Sequence, residues 1–319
     1  MNEIIIIGGT GFAGRHLITS LLSQKDIKIR VLRHKDNPDE VLSNDRLTVI
    51  NGDLLRPETL TGLCVGNAIV INLAYIRNGS SQDNLSAIKN LLAACAKAKI
   101  KRFIHCSTAV VAGRVRGDIV TEETACYPIS EYETTKRQIE KTVLENAGKA
   151  FEAVILRPTA IFGAGGKNLL KLADDLLFGN RIANYFKSCL FHERKMNLVS
   201  VHNVVSAIEL LIYTNKNIDE EIFIVSDDEY NGNNYYDVER NLMEKFGLKS
   251  YPIPIVHIPL FVLKGILKLI GKSNYNPRCT YNCQKLFDLG FKKTVIFEDE
   301  LANFASWYKH YLAVQKNIP

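Results

Sequence analysis

The sequence predicts an α/β chain, a doubly wound parallel sheet followed by a smaller, mixed C-terminal lobe. Three observations carry this expectation. Short β-branched runs such as Ile4-Ile5-Ile6-Ile7 alternate with amphipathic helical segments through the first half. A glycine turn, Gly8-Gly9-Thr10-Gly11-Phe12-Ala13-Gly14, stands between the first such run and the first helical pattern. After about Asn168 the alternation weakens and helical patterns dominate. The boundary is placed near residue 165, giving segments 1–165 and 166–319 with chain crossings between them.

The first run is apolar throughout, as a strand covered on both faces must be. In the turn, Gly8 permits the tight bend and Gly11 lets a pyrophosphate approach the backbone. Gly14 lets the helix that follows, from Arg15 to about Ser23, pack on the strand. Phosphates would then meet N–H groups at the positive end of that helix. The second strand, residues 28–32, ends at Arg33-His34. An acid there would hold a ribose 2′-hydroxyl, whereas an arginine suits a 2′-phosphate, so Arg33 favours NADP over NAD. The nearest acid, Asp36, comes three residues later. Residues 47–50 form the third strand, followed by Asp53-Leu54, whose carboxylate can accept from an adenine amino group. Residues 68–74 form the fourth. An amphipathic helix spans 84–98, with Leu85, Ile88, Leu91, Leu92 and Cys95 on one face. The fifth strand, Arg102–Cys106, runs into Ser107-Thr108.

In Glu131-Tyr132-Glu133-Thr134-Thr135-Lys136, a helix would put Tyr132 and Lys136 on one face. A tyrosine titrates near pH 10, and a neighbouring ammonium favours its phenolate. Lowering that value to about 7 needs roughly 4 kcal/mol. One lysine falls short of this, which calls for a second positive charge such as an oxidised nicotinamide.

In the C-terminal half, helical patterns cover 169–178, 204–213 and 235–246, with a strand at 222–225. Residues 256–270 are apolar with Lys264 and Lys268 interspersed; the spacing suits a helix capping the lobe, and also a helix lying on a membrane surface. Lys167, Lys171, Arg181, Lys187, Arg194 and Lys195 accumulate here, as an acidic substrate would require.

The net charge of +6 is spread along the chain, without the basic arm or stripe that nucleic acid demands. Seven dispersed cysteines show no metal-ligand spacing, so we expect reduced thiols, no metal and a cytoplasmic protein. The chain starts directly in a strand pattern, without a signal-peptide pattern, and no apolar run is long enough to span a membrane.

GGTGFAG, Asp53-Leu54, the Ser107-Thr108-Ala109-Val110-Val111-Ala112-Gly113 segment and YETTK stand in the order of extended short-chain dehydrogenase/reductases, which the chain resembles over nearly its whole length. The resemblance continues through Leu156-Arg157-Pro158-Thr159 and Leu289-Gly290-Phe291, and is nearest to the nucleotide-sugar epimerase/dehydratase group. It implies a Rossmann-type fold with catalytic Thr108, Tyr132 and Lys136, Ser107 being the competing hydroxyl. It implies that Gly8, Thr10, Gly11, Phe12, Ala13, Gly14, Arg33, Asp53, Leu54, Ala74, Asn84, Ser107 and Pro158 surround NADP or NAD together with Tyr132 and Lys136. Asn84 alternatively reads as a plain helix N-cap. Arg194, Lys195 and Arg278 become candidate clamps for a substrate diphosphate. Dehydratases of the group carry an Asp-Glu pair after the threonine, where this chain has Ala109 and Val110, so dehydration is not expected. The expected activity is 4-keto reduction or C4 epimerisation of a nucleotide-activated sugar, and the family pattern also suggests a homodimer through the helices carrying Asn84 and Tyr132. A hydroxysteroid or isoprenoid-alcohol dehydrogenase of the same superfamily is the second expectation, and a non-catalytic cofactor-binding sensor or scaffold the third.

Overall fold

The computed structural model describes residues 2–34, 44–115, 117–146, 150–271 and 274–316, so Asp36 lies outside the described residues. The strands are β1 (Asn2–Ile7), β2 (Ile27–Arg33), β3 (Leu47–Asn51), β4 (Ile69–Asn72), β5 (Arg102–Cys106), β6 (Ile119–Val120), β7 (Glu152–Pro158), β8 (Ala160–Phe162), β9 (Leu198–Ser200), β10 (Ile222–Val225) and β11 (Thr280–Tyr281). The helices are α1 (Phe12–Ser23), α2 (Ser81–Ala98), α3 (Glu131–Leu144), α4 (Leu170–Phe178), α5 (Arg181–Phe191), α6 (Val201–Tyr213), α7 (Tyr235–Phe246), α8 (Leu260–Leu269), α9 (Gln284–Leu289) and α10 (Phe297–Lys316).

Seven strands form one sheet in the order β10-β7-β5-β4-β1-β2-β3, and every pairing from β7 to β3 is parallel. The order reverses between β1 and β4, and the carboxyl ends at such a switch point form the crevice where α/β sheets bind ligands. The four isoleucines of β1 are wholly buried, because the central strand is covered on both faces. On one side Ile88, Leu91, Leu92 and Cys95 of α2 and Ile139 and Val143 of α3 pack with Ile5, Ile7 and Phe103 of the sheet.

The chain divides into two compact units, the first Met1–Val111, Pro128–Arg157 and Val205–Phe223, the second Ala112–Tyr127, Pro158–Val204 and Ile224–Pro319. The second has its own core, with Phe162, Leu172, Leu242, Phe304 and Tyr308, and two small sheets, β8-β9 and β6-β11. Four of its helices differ from the sequence pattern, and α9 and α10 have no counterpart in it. Asn180 caps α5, an element the periodicity did not announce. The apolar run at 256–270 becomes helical only at Leu260, since Pro252, Pro254 and Pro259 lack the N–H groups a helix needs.

Helix α3 is held at both ends. Ser130 and Glu133 form a reciprocal capping box at its start. Near its end the fully buried Glu140 carboxylate accepts from Arg157 Nε and Nη2 of β7 at 2.8 and 2.7 Å, and from Arg137 Nη1 at 2.8 Å. Replacing Glu140 by Ala strands a buried guanidinium, and we expect urea denaturation to show a loss of about 3–5 kcal/mol. A joint Glu140→Leu and Arg157→Met replacement is expected to recover most of that loss.

Candidate active site

The glycine turn joins β1 to α1 at the switch point. Gly8 has φ +82°, and a Cβ on it would lie 2.9 Å from the Ala74 nitrogen, so neither the conformation nor the space admits a side chain. A Cβ on Gly14 would lie 2.3 Å from the Gly8 carbonyl oxygen, which makes this glycine the condition for α1 to start so close to β1. Gly11 caps α1 without any side-chain hydrogen bond, and its N–H donates to the Gly8 carbonyl at 3.0 Å. No side chain therefore caps the first turn at Phe12 and Ala13, the arrangement a dinucleotide pyrophosphate requires. The chain fits NAD or NADP on this cradle.

Around it the expected residues fall at the strand ends. Arg33 closes β2, and its Nε donates to Asn51 Oδ1 at 3.0 Å. Asp53 accepts from the Leu55 N–H at 2.9 Å and faces His34 Nε2 at 3.7 Å and Arg56 Nε at 3.9 Å. Asn90 of α2 donates to the Leu54 carbonyl at 2.8 Å and ties down the loop. The Ala74 N–H donates to Asn72 Oδ1 at 3.1 Å. Asn84 is not an N-cap: Ser80 caps α2 through its own box with Asp83, and Asn84 lies buried in the next turn. There its amide bonds both the N–H and the carbonyl of Ile76, fixing the loop after β4. Ser107 Oγ is buried without a hydrogen-bond partner among the described residues, the kind of polar atom a bound dinucleotide satisfies. Pro158 ends β7.

Thr108, Tyr132 and Lys136 come together on the first unit. The Thr108 side chain stands near enough to the Tyr132 hydroxyl to favour its anion. Lys136 is buried, with Nζ donating to the Cys106 carbonyl at 3.4 Å and lying 5.1 Å from the Tyr75 ring centre. Tyr75 packs edge-on against Tyr132 at 5.1 Å. Although 42% of Tyr132 is exposed, desolvation of its hydroxyl raises the phenol above its ordinary value, with the Cys106 and Tyr75 acids adding to the effect and Thr108 opposing it. Burial also lowers Lys136. The Cys106 thiol is pushed up to about 11 by burial, and His105 beneath the site is held well below the imidazole range by burial and by the Lys136 charge. Ala109 is buried and Val110 exposed, so no carboxylate follows Thr108.

In the second unit the basic residues separate. Lys171 and Lys187 both pair with Asp175, and Arg181 donates to the Lys249 and Ser250 carbonyls. Arg194 stacks on Phe191, and Lys195 Nζ reaches the Asn231 carbonyl at 3.5 Å. Arg278 lines a cavity of about 590 Å³, together with Lys264, Asn276, Phe261, His192 and His257; Arg194 and Lys195 do not line it. His192, Glu193 and His257 bring ligand-type atoms within 4.8 Å, and the two imidazole rings are tilted by 37° with centroids 3.6 Å apart.

The sequence profile of the 3-beta hydroxysteroid dehydrogenase/isomerase family matches residues 5–255. The chain belongs to that family. The match takes in the glycine turn and the segment from Thr108 to Lys136, and it places the chain in the extended short-chain dehydrogenase/reductase superfamily. A known relative, the 4-hydroxy-2-methyl-3-oxo-4-farnesyl-3,4-dihydroquinoline-1-oxide ketoreductase of Stigmatella aurantiaca, is 29% identical over 168 residues, and the match spans 50% of each protein. Among solved structures, the dTDP-glucose 4,6-dehydratase of Bacillus anthracis in complex with NAD superposes with a TM-score of 0.73 at 17% identity, covering 97% of both chains. The UDP-glucuronic acid 4-epimerase of Bacillus cereus, also with NAD, gives 0.72 at 20% identity, covering 97% of this chain and 99% of that one. At these identities the likeness concerns the fold.

Asn90, Tyr75 and Glu140 are the supporting residues that sequence reasoning missed; each acts through a contact distant in sequence, so no local spacing announces it. The raised phenol gives a test. A difference absorbance titration of the cofactor-free chain against Tyr132→Phe is expected to place the phenolate above pH 10. Adding oxidised cofactor is expected to move it down by about one unit or more, since an opposite charge nearby favours the anion. A midpoint that cofactor leaves unchanged rejects the electrostatic coupling.

Proposed function

We propose that this enzyme transfers hydride at a single carbon of a nucleotide-activated sugar, as a 4-ketoreductase or a 4-epimerase. The observation that carries the reading is the Thr108–Tyr132–Lys136 arrangement with Ala109 and Val110 in place of an acid pair. The bound nicotinamide supplies or accepts the hydride. Tyr132 gives its proton to the oxygen of the carbon being reduced, or takes it in the reverse direction, and Thr108 hydrogen-bonds the same oxygen. Lys136 holds positive charge near the phenol and reaches towards the cofactor ribose. Elimination of water needs an acid and a base on neighbouring carbons, and none follows Thr108. Arg33 at the end of β2 favours a 2′-phosphate, hence NADP and the reductase direction.

For the substrate diphosphate we propose Arg278 with Lys264, the two cations of the cavity in the second unit, in preference to Arg194 and Lys195. A specific observation favours a second reading, a lipophilic ketone or alcohol: the matched family and the farnesyl-bearing relative agree with the apolar cavity wall of Ile258, Pro259, Leu260 and Phe261. All seven cysteines are free, which fits a cytoplasmic site of action, and among the described residues no helix is long and apolar enough to cross a membrane. Homodimer formation through α2 and α3 belongs to the same proposal.

Turnover of NADPH with dTDP-, UDP- and GDP-4-keto sugars is expected, and turnover only with steroid or isoprenoid ketones selects the second reading. Tyr132→Phe is expected to bind cofactor normally and to lose turnover by about 10²–10⁴-fold. Arg278→Ala is expected to raise KM for a nucleotide sugar with little change in kcat, because it removes binding energy remote from the reacting carbon.

A further inference from the structure

Helix α8 buries only Leu263 and Leu267. Its other apolar side chains face outwards, with Phe261 76% and Leu269 88% exposed and the adjoining Ile270 62% exposed. At about 100° per residue, Phe261, Leu269, Val262, Ile266 and Ile270 fall within a single arc of about 180°, and the exposed Lys264 and Lys268 sit together at its edge. Apolar patches of this kind on a soluble surface mark a binding face. The surrounding sequence states its charge: residues 251–287 contain no Asp or Glu, yet hold Lys264, Lys268, Lys272, Arg278 and Lys285.

We infer that α8 lies in the headgroup layer of an anionic lipid bilayer, its apolar arc inserted and Lys268 on the lipid phosphates. Ten helical residues extend only about 15 Å, half of a hydrocarbon core, so the helix rests on the membrane without crossing it. A symmetric second copy fits poorly, because a two-fold contact through α8 would bring its lysines towards those of the other copy with no acid in the segment to neutralise them.

Flotation of the full chain tests it, using vesicles of phosphatidylcholine alone and of phosphatidylcholine mixed with phosphatidylglycerol. The chain is expected to float with the anionic vesicles and to remain below with the neutral ones. Lys268→Ala is expected to weaken the anionic partition about fivefold. The double variant Phe261→Ser/Leu269→Ser is expected to stay at the bottom with an unchanged melting temperature, since both side chains are exposed. Failure of the parent chain to float with anionic vesicles overturns the inference, as does flotation of the double variant equal to that of the parent. So does light scattering that shows a dimer split by the double variant, which assigns the patch to a second copy.

Discussion

A carboxylate with no exposure to solvent, Glu140, decides where the helix carrying Tyr132 and Lys136 lies. Two hydrogen bonds from Arg157 of β7 and one from Arg137 satisfy it. Such a pair adds little net stability, because desolvating both charges offsets their attraction, but a misplaced helix would leave each charge buried alone. The pair therefore selects one register for α3 against the sheet. Lys136 stands one turn before Glu140 and Tyr132 one turn before Lys136, on the same face. Fixing Glu140 on β7 thus delivers Lys136 to the Cys106 carbonyl at the end of β5, and Tyr132 to Thr108 just beyond it. The Ser130–Glu133 box stops the other end of α3 from fraying beside the phenol.

That placement has an electrostatic consequence. Burial raises Tyr132 and lowers Lys136, so both shifts oppose the phenolate–ammonium pair that proton transfer uses. Burial and the Lys136 charge hold His105 well below the usual imidazole range. A site of this polarity favours an added positive charge beside the phenol, and the uncapped first turn of α1 is shaped to bring a nicotinamide dinucleotide there. The glycine cradle and the tyrosine are two halves of one electrostatic device.

What could be read from the sequence was what local spacing encodes. The turn from Gly8 to Gly14 and the Tyr132–Lys136 interval are short-range patterns, and both lie where a strand–turn–helix unit and a helix face require. Contacts between distant segments were not legible. Arg157 and Glu140 read as an ordinary strand and helix residue, and their pairing depends on how β7 passes under α3. Asn84 carried two local readings; Ser80, already at the right spacing from Asp83, was the cap that competition between side chains chose. The basic run from Lys167 to Lys195 looked like a single acidic-ligand surface. Asp175 and backbone carbonyls take up several of its charges, while Lys264, within an apolar stretch of sequence, lines the same cavity as Arg278.

Under the proposed function, the Thr108–Tyr132–Lys136 site moves hydride at one carbon and abstracts no proton from its neighbours. Turnover in deuterium oxide, followed by mass spectrometry and NMR of the product, addresses this directly. The account predicts a product whose carbon-bound hydrogens all remain unlabelled, the transferred hydride coming from the cofactor. Deuterium on a carbon adjacent to the reacting one, or a product lighter by one water, would contradict it.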